Sequence, residues 1–365
     1  MKLFPYVRLE KIELKNFRCF TKTTFDFSTD VVIIYGNNGS GKTTIIEALH
    51  YLCYLSSFRS RLPNEIAQFE SESFFIKGTV TQDNNETLDI QVGFAKKQKI
   101  AKIGQKPISS YKELFPYYQI VTVTIDDLEL IQGSPIIRRN FIDQAILLAN
   151  PEFGETFKRC KQVLQQRNAL LQKPFNYESY VIWTRQLWEQ TRLIQKMRIE
   201  GLHRLNNRVS ELLTNFFDSS YTLDITYNYK HIAPDQSFED FLEKKKGLLT
   251  YESITKRSDF GAHLDDFTLQ FCSKKLKSFG SRGQQKLLVL LIKIAQILDL
   301  QEMKNRPIFL LDDFVTDFDK QRLESILNLL LTLNCQLIIS SPIREKLLEE
   351  LLLKANISTI ELSSK

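Results

Sequence analysis

The segment Gly36-Asn37-Asn38-Gly39-Ser40-Gly41-Lys42-Thr43 fills every required position of the phosphate-binding pattern G-x-x-x-x-G-K-[ST]. Its glycines let the backbone come close enough to turn N–H groups toward phosphate oxygens. Lys42 brings a point charge to the β- and γ-phosphates, and the Thr43 hydroxyl suits Mg²⁺. The flanks set the context. Val31–Tyr35 (VVIIY) reads as a buried parallel strand, and Thr43–Leu55 (TTIIEALHYLCYL) as an apolar helix leaving the loop. Phosphate would then rest on a helix N-terminus, with Gly36 through Thr44 forming the cradle of a nucleoside triphosphate. The expected fold class is α/β.

A second apolar run, Ile308–Leu311, ends in Asp312 and Asp313. A buried strand that delivers acid at its C-terminal end places a Mg²⁺ ligand beside a phosphate loop. Asp312 is the metal candidate, directly or through water, and Asp313 the candidate for orienting an attacking water. Upstream, Ser281-Arg282-Gly283-Gln284 opens an expected helix over Gln285–Leu298. This segment resembles the signature motif of ABC-type ATPases, which binds the γ-phosphate of a nucleotide held by the opposite subunit. Ser281, Gly283 and Gln284 would then complete a partner's site through hydroxyl, backbone N–H and helix dipole. A plain helix cap by Ser281 is compatible with the same residues.

The remainder of the chain frames these motifs. Val7–Phe20 alternates apolar and charged residues, and Phe74–Val80, Thr87–Phe94 and Ile100–Ile103 read as further strands, with Asp83-Asn84-Asn85 as a turn. A mixed sheet that receives the phosphate-loop unit is expected. Asp126–Phe217 is helical in pattern, with Asn176–Phe217 forming one long helix or two. The apolar stripe there reads as core packing, and no heptad array supports an extended coiled-coil arm. Tyr221–Tyr229 reads as a strand and Phe238–Thr255 as a helix. From Phe279 the order is loop, helix, strand, helix, strand (Gln336–Ser340), helix. The expected division is 1–123 and 251–365 as two halves of an ATPase head, with a mostly helical arm over 124–250.

The length of 365 residues and an apolar content of 43% are enough for two domains with a sizeable core. The 49 basic and 43 acidic side chains leave a net charge of only +6. That charge is unevenly spread. Lys96, Lys97, Lys99, Lys102 and Lys106 form a run without an acidic residue, Lys158–Arg208 carries eleven basic residues against three glutamates, and Lys274, Lys275 and Lys277 make a third patch. Such patches suit phosphate contacts of weak sequence preference. The five cysteines are scattered without C-x-x-C spacing, which fits a reducing cytoplasm and offers no zinc site. No signal peptide is expected from the charged N-terminal stretch, and the most apolar helix, Leu287–Leu298, is broken by Lys293, so no membrane association is expected.

Several stretches resemble the RecF family: Leu14-Lys15-Asn16-Phe17-Arg18, Ser57-Phe58-Arg59, Gly133-Ser134-Pro135 with Arg138-Arg139-Asn140-Phe141-Ile142-Asp143, Gln166-Arg167-Asn168, Gly261-Ala262-His263-Leu264-Asp265-Asp266, and Asp312-Asp313 running on to Asp317-Phe318-Asp319. They keep the family's order from about residue 8 to residue 340. The resemblance implies an ABC-type phosphate-loop ATPase head, short-armed relative to SMC proteins, with an inserted helical lid. It implies a slow, DNA-stimulated ATPase that uses ATP and Mg²⁺ and dimerises on ATP. It further implies action at gapped DNA and single-strand/double-strand junctions in recombinational repair, with recombination mediators as partners. Arg18 and Arg59 join Lys42 as basic residues expected near nucleotide. His263 suits a packed turn, and Asp265 and Asp266 suit a helix cap or ion pairs. The chain departs from the family pattern at Leu264, at Ile125-Asp126, at Arg282 and at Asp317-Phe318-Asp319, and Ser340-Ser341 carries no switch histidine. The alternatives are a transporter's ATP-binding cassette, or an SMC-like ATPase that does not act on gapped DNA. The transporter class normally has a glutamate where Asp313 stands. A GTPase-like switch lacks its Asn-Lys-x-Asp motif here.

Overall fold

The computed structural model describes residues 7–60, 62–82, 86–150, 152–173, 176–245, 247–302, 306–314, 318–342 and 356–363. The chain forms two compact units, Met1–Asp127 with Lys293–Lys365, and Leu128–Ile292. The second therefore includes residues 251–292, which the motif order assigns to the head.

In the first unit, period-two alternation produces strands with one buried face. β1 (Val7–Phe17), β2 (Phe20–Asp26), β4 (Phe74–Gln82), β5 (Thr87–Ala95), β6 (Gln98–Ile103) and β7 (Lys106–Ile108) make an antiparallel sheet in the order β2-β1-β4-β5-β6-β7. The unbroken apolar runs behave differently. β3 (Val31–Gly36), β8 (Ile120–Val123), β12 (Ile308–Asp312), β13 (Gln336–Ser341) and β14 (Ile357–Leu362) form an all-parallel sheet in the order β14-β3-β13-β12-β8. Antiparallel and parallel strands thus keep to separate sheets. The cause is burial: β3 and β12 are apolar on both faces, whereas β1, β4 and β5 have only one face to cover.

Helix α1 (Lys42–Tyr54) joins the two sheets. Its Ile45, Ile46, Leu49 and Leu52 share one core with Ile12, Leu14, Ile76 and Val92 of the antiparallel sheet and with Val32, Ile34, Leu310 and Ile338 of the parallel one. The buried Gln336 side chain, at the start of β13, ties the two sheets together. It exchanges hydrogen bonds with the Leu9 backbone at 2.9 and 3.0 Å and donates to the Phe27 carbonyl at 2.6 Å. Helix α10 (Lys320–Thr332) starts on an Asp319 side chain that accepts from the Arg322 N–H.

The second unit is mainly helical: α2 (Glu129–Gln132), α3 (Pro135–Ala149), α4 (Glu152–Leu171), α5 (Tyr177–Phe216), α6 (Phe238–Lys244), α7 (Leu248–Thr255) and α8 (Leu276–Phe279). A small antiparallel sheet, β11-β10-β9, is built from β9 (Leu223–Asn228), β10 (Asp266–Phe271) and β11 (Lys274–Lys275). α9 (Arg282–Glu302) starts here and continues into the first unit. α5 is a single helix of 40 residues, and Phe238–Thr255 divides into two helices around Gly247. The Asp83-Asn84-Asn85 turn, Asp317 and the helix expected after Ser341 lie outside the described residues.

Candidate nucleotide site

The loop leaves β3 at Gly36 and passes directly into α1. Gly39 and Gly41 hold φ of +83° and +105°, where an L side chain is strained. At Gly41 a Cβ would also lie 2.8 Å from the Phe20 ring. Among the described residues no side chain caps α1 and no acidic residue stands in its first turn, so its N-terminal N–H groups face the loop. Ser40 Oγ is buried and has no hydrogen-bond partner among the described residues. These features suit an anion. Lys42, only 4% exposed, folds its Nζ onto the Gly36 and Asn37 carbonyls at 2.9 and 3.3 Å, with Asp313 Oδ2 4.0 Å away.

Sheet register explains how the acid meets the loop. Along the parallel strands Asp312 pairs with Ser340, and Ser340 with Ile34, so β13 stands between the carboxylate strand and the loop strand. Ser340, fully buried, bridges that gap. Its hydroxyl donates to Asp312 Oδ1 at 2.7 Å and accepts from the Asp313 N–H at 2.9 Å. Thr43 Oγ1 donates to the same Asp312 oxygen at 3.2 Å. Burial raises the Asp312 pKa, and the hydrogen bonds from Ser340 and Thr43 oppose the rise. Adjacent hydroxyl and carboxylate oxygens are a donor set that fits Mg²⁺, which takes one or two protein oxygens together with phosphate and water. Asp313 sits at φ 46°, a left-handed conformation that turns its side chain out of the strand.

A cleft of about 1190 Å³ opens over the loop, lined by Arg18, Cys19, Lys42, Thr43, Arg59 and Asp313 on one side. Asn64, Glu65, Gln68, Phe69, Glu70 and Glu72 line it as well, with Phe69 89% exposed. Arg18 and Arg59 thus share the cleft with the phosphate loop, as sequence reasoning places them, but both are anchored on Glu47, a residue it overlooks. Glu47 and Ser340 are the two missed members of the site. Each interrupts or ends an apolar run, Glu47 within Ile45–Leu49 and Ser340 after Leu337–Ile339, and that placement is the signal that could have found them.

Ser281, Gly283 and Gln284 belong to the second unit, at the start of α9. Ser281 is exposed, its Oγ accepts from the Gln284 N–H at 3.3 Å, and its own N–H donates to Gln284 Oε1 at 2.9 Å. The helix-cap role is therefore present. The Gly261–Asp266 stretch is a structural clamp within the same unit. The Asp265 carboxylate accepts from Gln195, Tyr227 and the Lys230 N–H, each at 2.9 Å, and Asp266 forms a two-pronged pair with Arg138 at 2.7 and 2.8 Å. Burial lowers the His263 pKa, as suits a packed turn residue.

One of the basic patches needs correction, and one cation of another is tied down. Lys99 is exposed with its neighbours, while its Nζ donates to the Leu55 carbonyl and lies over the Tyr51 ring, so that one cation of the run is tied down. Within Lys158–Arg208, Arg167 and Arg198 are buried and paired with Glu252 and Asp143, each at 2.7 Å, so they add nothing to a surface field. The cause is the same in each case: a long cationic side chain on an amphipathic element can turn inward wherever the fold offers an acceptor. Lys274, Lys275 and Lys277 are exposed.

A phosphate loop, a carboxylate strand two places away in a parallel sheet, and a signature-type helix start define an ABC-type ATPase head of the SMC kind. Residues 8–361 match the RecF/RecN/SMC N terminal domain family. The DNA replication and repair protein RecF of Chlorobium phaeobacteroides (strain BS1) is 30% identical over 332 residues, covering 88% of this chain and 92% of that protein. RecF of Bacillus cereus (strain G9842) is 31% identical over 332 residues, with 88% of each covered. The chain belongs to the RecF family. Among solved structures, the recombination mediator protein RecF-ATP in the RecFOR pathway superposes with a TM-score of 0.82 at 24% identity, covering 94% of both chains. An Smc head domain from Pyrococcus furiosus has a TM-score of 0.57 at 15% identity, covering 98% of this chain and 94% of that one. Among the described residues, no helix is long and apolar enough to cross a membrane.

Proposed function

We propose that this chain is an ATP-dependent DNA-binding protein that dimerises on ATP and acts at gapped or single-strand/double-strand junction DNA in repair. The observation that carries the reading is the meeting of Lys42, Thr43 and Asp312 at an uncapped helix N-terminus, in a chain of the family to which the DNA replication and repair proteins named above belong. Lys42 exchanges its loop carbonyls for β- and γ-phosphate oxygens when ATP enters. Thr43 and Asp312 would hold Mg²⁺, which would supply charge to neutralise phosphate oxygens. Ser340 keeps the Asp312 carboxylate aimed, and its hydrogen bond opposes the rise in pKa that burial causes. Asp313 orients the attacking water, and Arg18 and Arg59 add positive charge along the cleft. Asp313 is one methylene shorter than glutamate and holds the water less closely, so turnover is slow, as suits a switch.

Residues 1–123 and 251–365 act as the two halves of the head, with 124–250 as the arm. Ser281, Gly283 and Gln284 stand exposed or half-buried at a helix start, free to read the γ-phosphate on a second copy. That arrangement is isologous, with two nucleotides between two loops and two signatures. ADP offers the signature no γ-phosphate and does not drive association. DNA contacts run through phosphate, with recombination mediators as further partners in the cytoplasm. Sedimentation with ATP, with ADP and with ATP plus gapped DNA tests the whole reading. A dimer with ATP alone, stabilised by gapped DNA, is expected. A monomer under every condition, or a dimer that ADP supports equally, refutes it.

A further inference from the structure

Glu47 is the sixth residue of α1, in an otherwise apolar stretch, and its side chain is 0% exposed. A buried carboxylate costs stability unless it is matched, and an apolar residue of similar volume would serve the core at least as well. It is matched here by four donors. Arg18 grips it two-pronged, Nη2 to Oε1 at 2.6 Å and Nε to Oε2 at 3.0 Å. Ser57 Oγ donates to Oε1 at 2.5 Å, and Arg59 Nη1 reaches Oε2 at 3.4 Å. The Ser57 hydroxyl in turn accepts from the Arg59 and Ser60 N–H groups at 2.9 and 3.1 Å. The turn that carries Arg59 therefore hangs from the same carboxylate.

Both arginines line the cleft over the phosphate loop, with side chains 20% and 43% exposed. Either could be solvated without Glu47, so the pairing is not needed to neutralise a trapped charge. What Glu47 supplies is direction. Arg18 spends two of its donors on Glu47 and a third, from Nη1, on the Glu65 carbonyl at 2.5 Å, which leaves it no freedom to turn. Arg59 is held by one long hydrogen bond and by the backbone of its turn. The helix that starts at Lys42 thus fixes two guanidinium groups five residues further on.

We propose that Glu47 is a positioning residue for the phosphoryl-transfer site, setting Arg18 and Arg59 relative to the phosphate loop from inside α1. The role rests on the nucleotide reading of the cleft. Glu47 touches neither nucleotide nor water and acts through the two arginines. Removing its charge frees both cations, so nucleotide binding survives while alignment is lost. Misplacement by about 1 Å costs on the order of a hundredfold in rate.

The test compares Glu47→Gln, Glu47→Asp and Ser57→Ala with wild type, using fluorescent ATP binding and steady-state ATPase assays. Glu47→Gln is expected to keep ATP affinity within about threefold and to lower kcat by roughly tenfold to a hundredfold. Glu47→Asp, which keeps the charge on a shorter stem, should recover part of that loss, and Ser57→Ala should lower kcat less than Glu47→Gln does. In an Arg18→Ala, Arg59→Ala background, Glu47→Gln should cost nothing further. Wild-type kcat for Glu47→Gln overturns the role. So does an undiminished effect in the arginine-free background, or loss of binding and thermal stability together in both Glu47 variants. A wild-type chain that binds no ATP overturns the nucleotide reading itself and this proposal with it.

Discussion

Ser340→Ala removes one oxygen from a site where three groups meet. The strands stay paired, because the backbone ladder between β12 and β13 does not use the hydroxyl. Asp312 loses the shorter of its two hydroxyl donors, 2.7 Å against 3.2 Å from Thr43, and the Asp313 N–H loses its acceptor at 2.9 Å. Losing a part-buried hydrogen bond of this kind costs about 0.5–1.5 kcal/mol of stability, so a slightly lower melting temperature is expected. Function should suffer more. Groups that orient a metal-binding carboxylate are worth about tenfold to a hundredfold in metal affinity, so the Mg²⁺ concentration for half-maximal ATPase should rise by that factor.

The pH dependence follows from the same bond. Burial already raises the Asp312 pKa above its usual 3.8, and Ser340 is the first of the groups that oppose the rise. Losing it raises the pKa further. A carboxylate whose native pKa is raised favours the protonated form in the folded state. Stability therefore increases as pH falls through that raised value toward 3.8. Activity needs the ionised form, so it falls in the same window, and the acid limb of the Mg²⁺-dependent rate should move to higher pH in the variant. Titrating Mg²⁺ at fixed ATP across pH, with thermal melts alongside, measures all three effects. A Mg²⁺ midpoint within about threefold of wild type and an unmoved acid limb would refute the reasoning.

Lys42→Ala should abolish tight ATP binding, because phosphate charge is then uncompensated in a nearly closed loop; near-normal affinity in an equilibrium nucleotide titration would remove the phosphate-loop assignment. Ser281→Arg should bind ATP as a monomer and fail to hydrolyse it, and mixing it with Lys42→Ala should restore up to about half the activity through one composite site. Lys96→Glu with Lys97→Glu should weaken DNA binding and lower the log–log salt slope by about 0.9 for each duplex phosphate that is no longer neutralised. Lys99→Glu should instead destabilise the fold, since that side chain serves the Leu55 carbonyl; an unchanged melting temperature would contradict this. Arg167→Ala leaves Glu252 buried beside Tyr180 without its partner, and urea unfolding should register a loss of about 3–5 kcal/mol.

What the sequence makes legible here is whatever runs consecutively. The phosphate loop lies between its own strand and helix, and Asp312 ends a strand whose four preceding residues are apolar, so local pattern alone places them. Arg18 and Arg59 are reachable through their motifs, but their common anchor is not, because Glu47 lies 29 residues from one and 12 from the other. Ser340 stays hidden for a related reason. Its importance comes from strand order, and β13 stands between β3 and β12 only because the sheet is assembled out of chain order. β14 has no buried residue and only three apolar ones, Ile357, Ile360 and Leu362, so its apolar content is too low to announce a strand in a parallel sheet. Arg167 and Arg198 mark the limit of charge counting, since sign is read from the sequence whereas direction belongs to the fold.

The order of the parallel sheet also governs when the site can exist during synthesis. The loop strand β3 is flanked by β13 and β14, whose residues are made long after the loop, and Leu362 O packs against Gly36 at the mouth of the loop. At about 5–20 residues per second, roughly 15–65 s separate translation of the loop from translation of the strands that clamp it. A nascent chain therefore carries an antiparallel sheet and a helical unit that can form early, beside a phosphate loop with no finished cradle. Nucleotide engagement is deferred until β13 and β14 have joined the loop strand, so the cradle closes long after its own residues have been made.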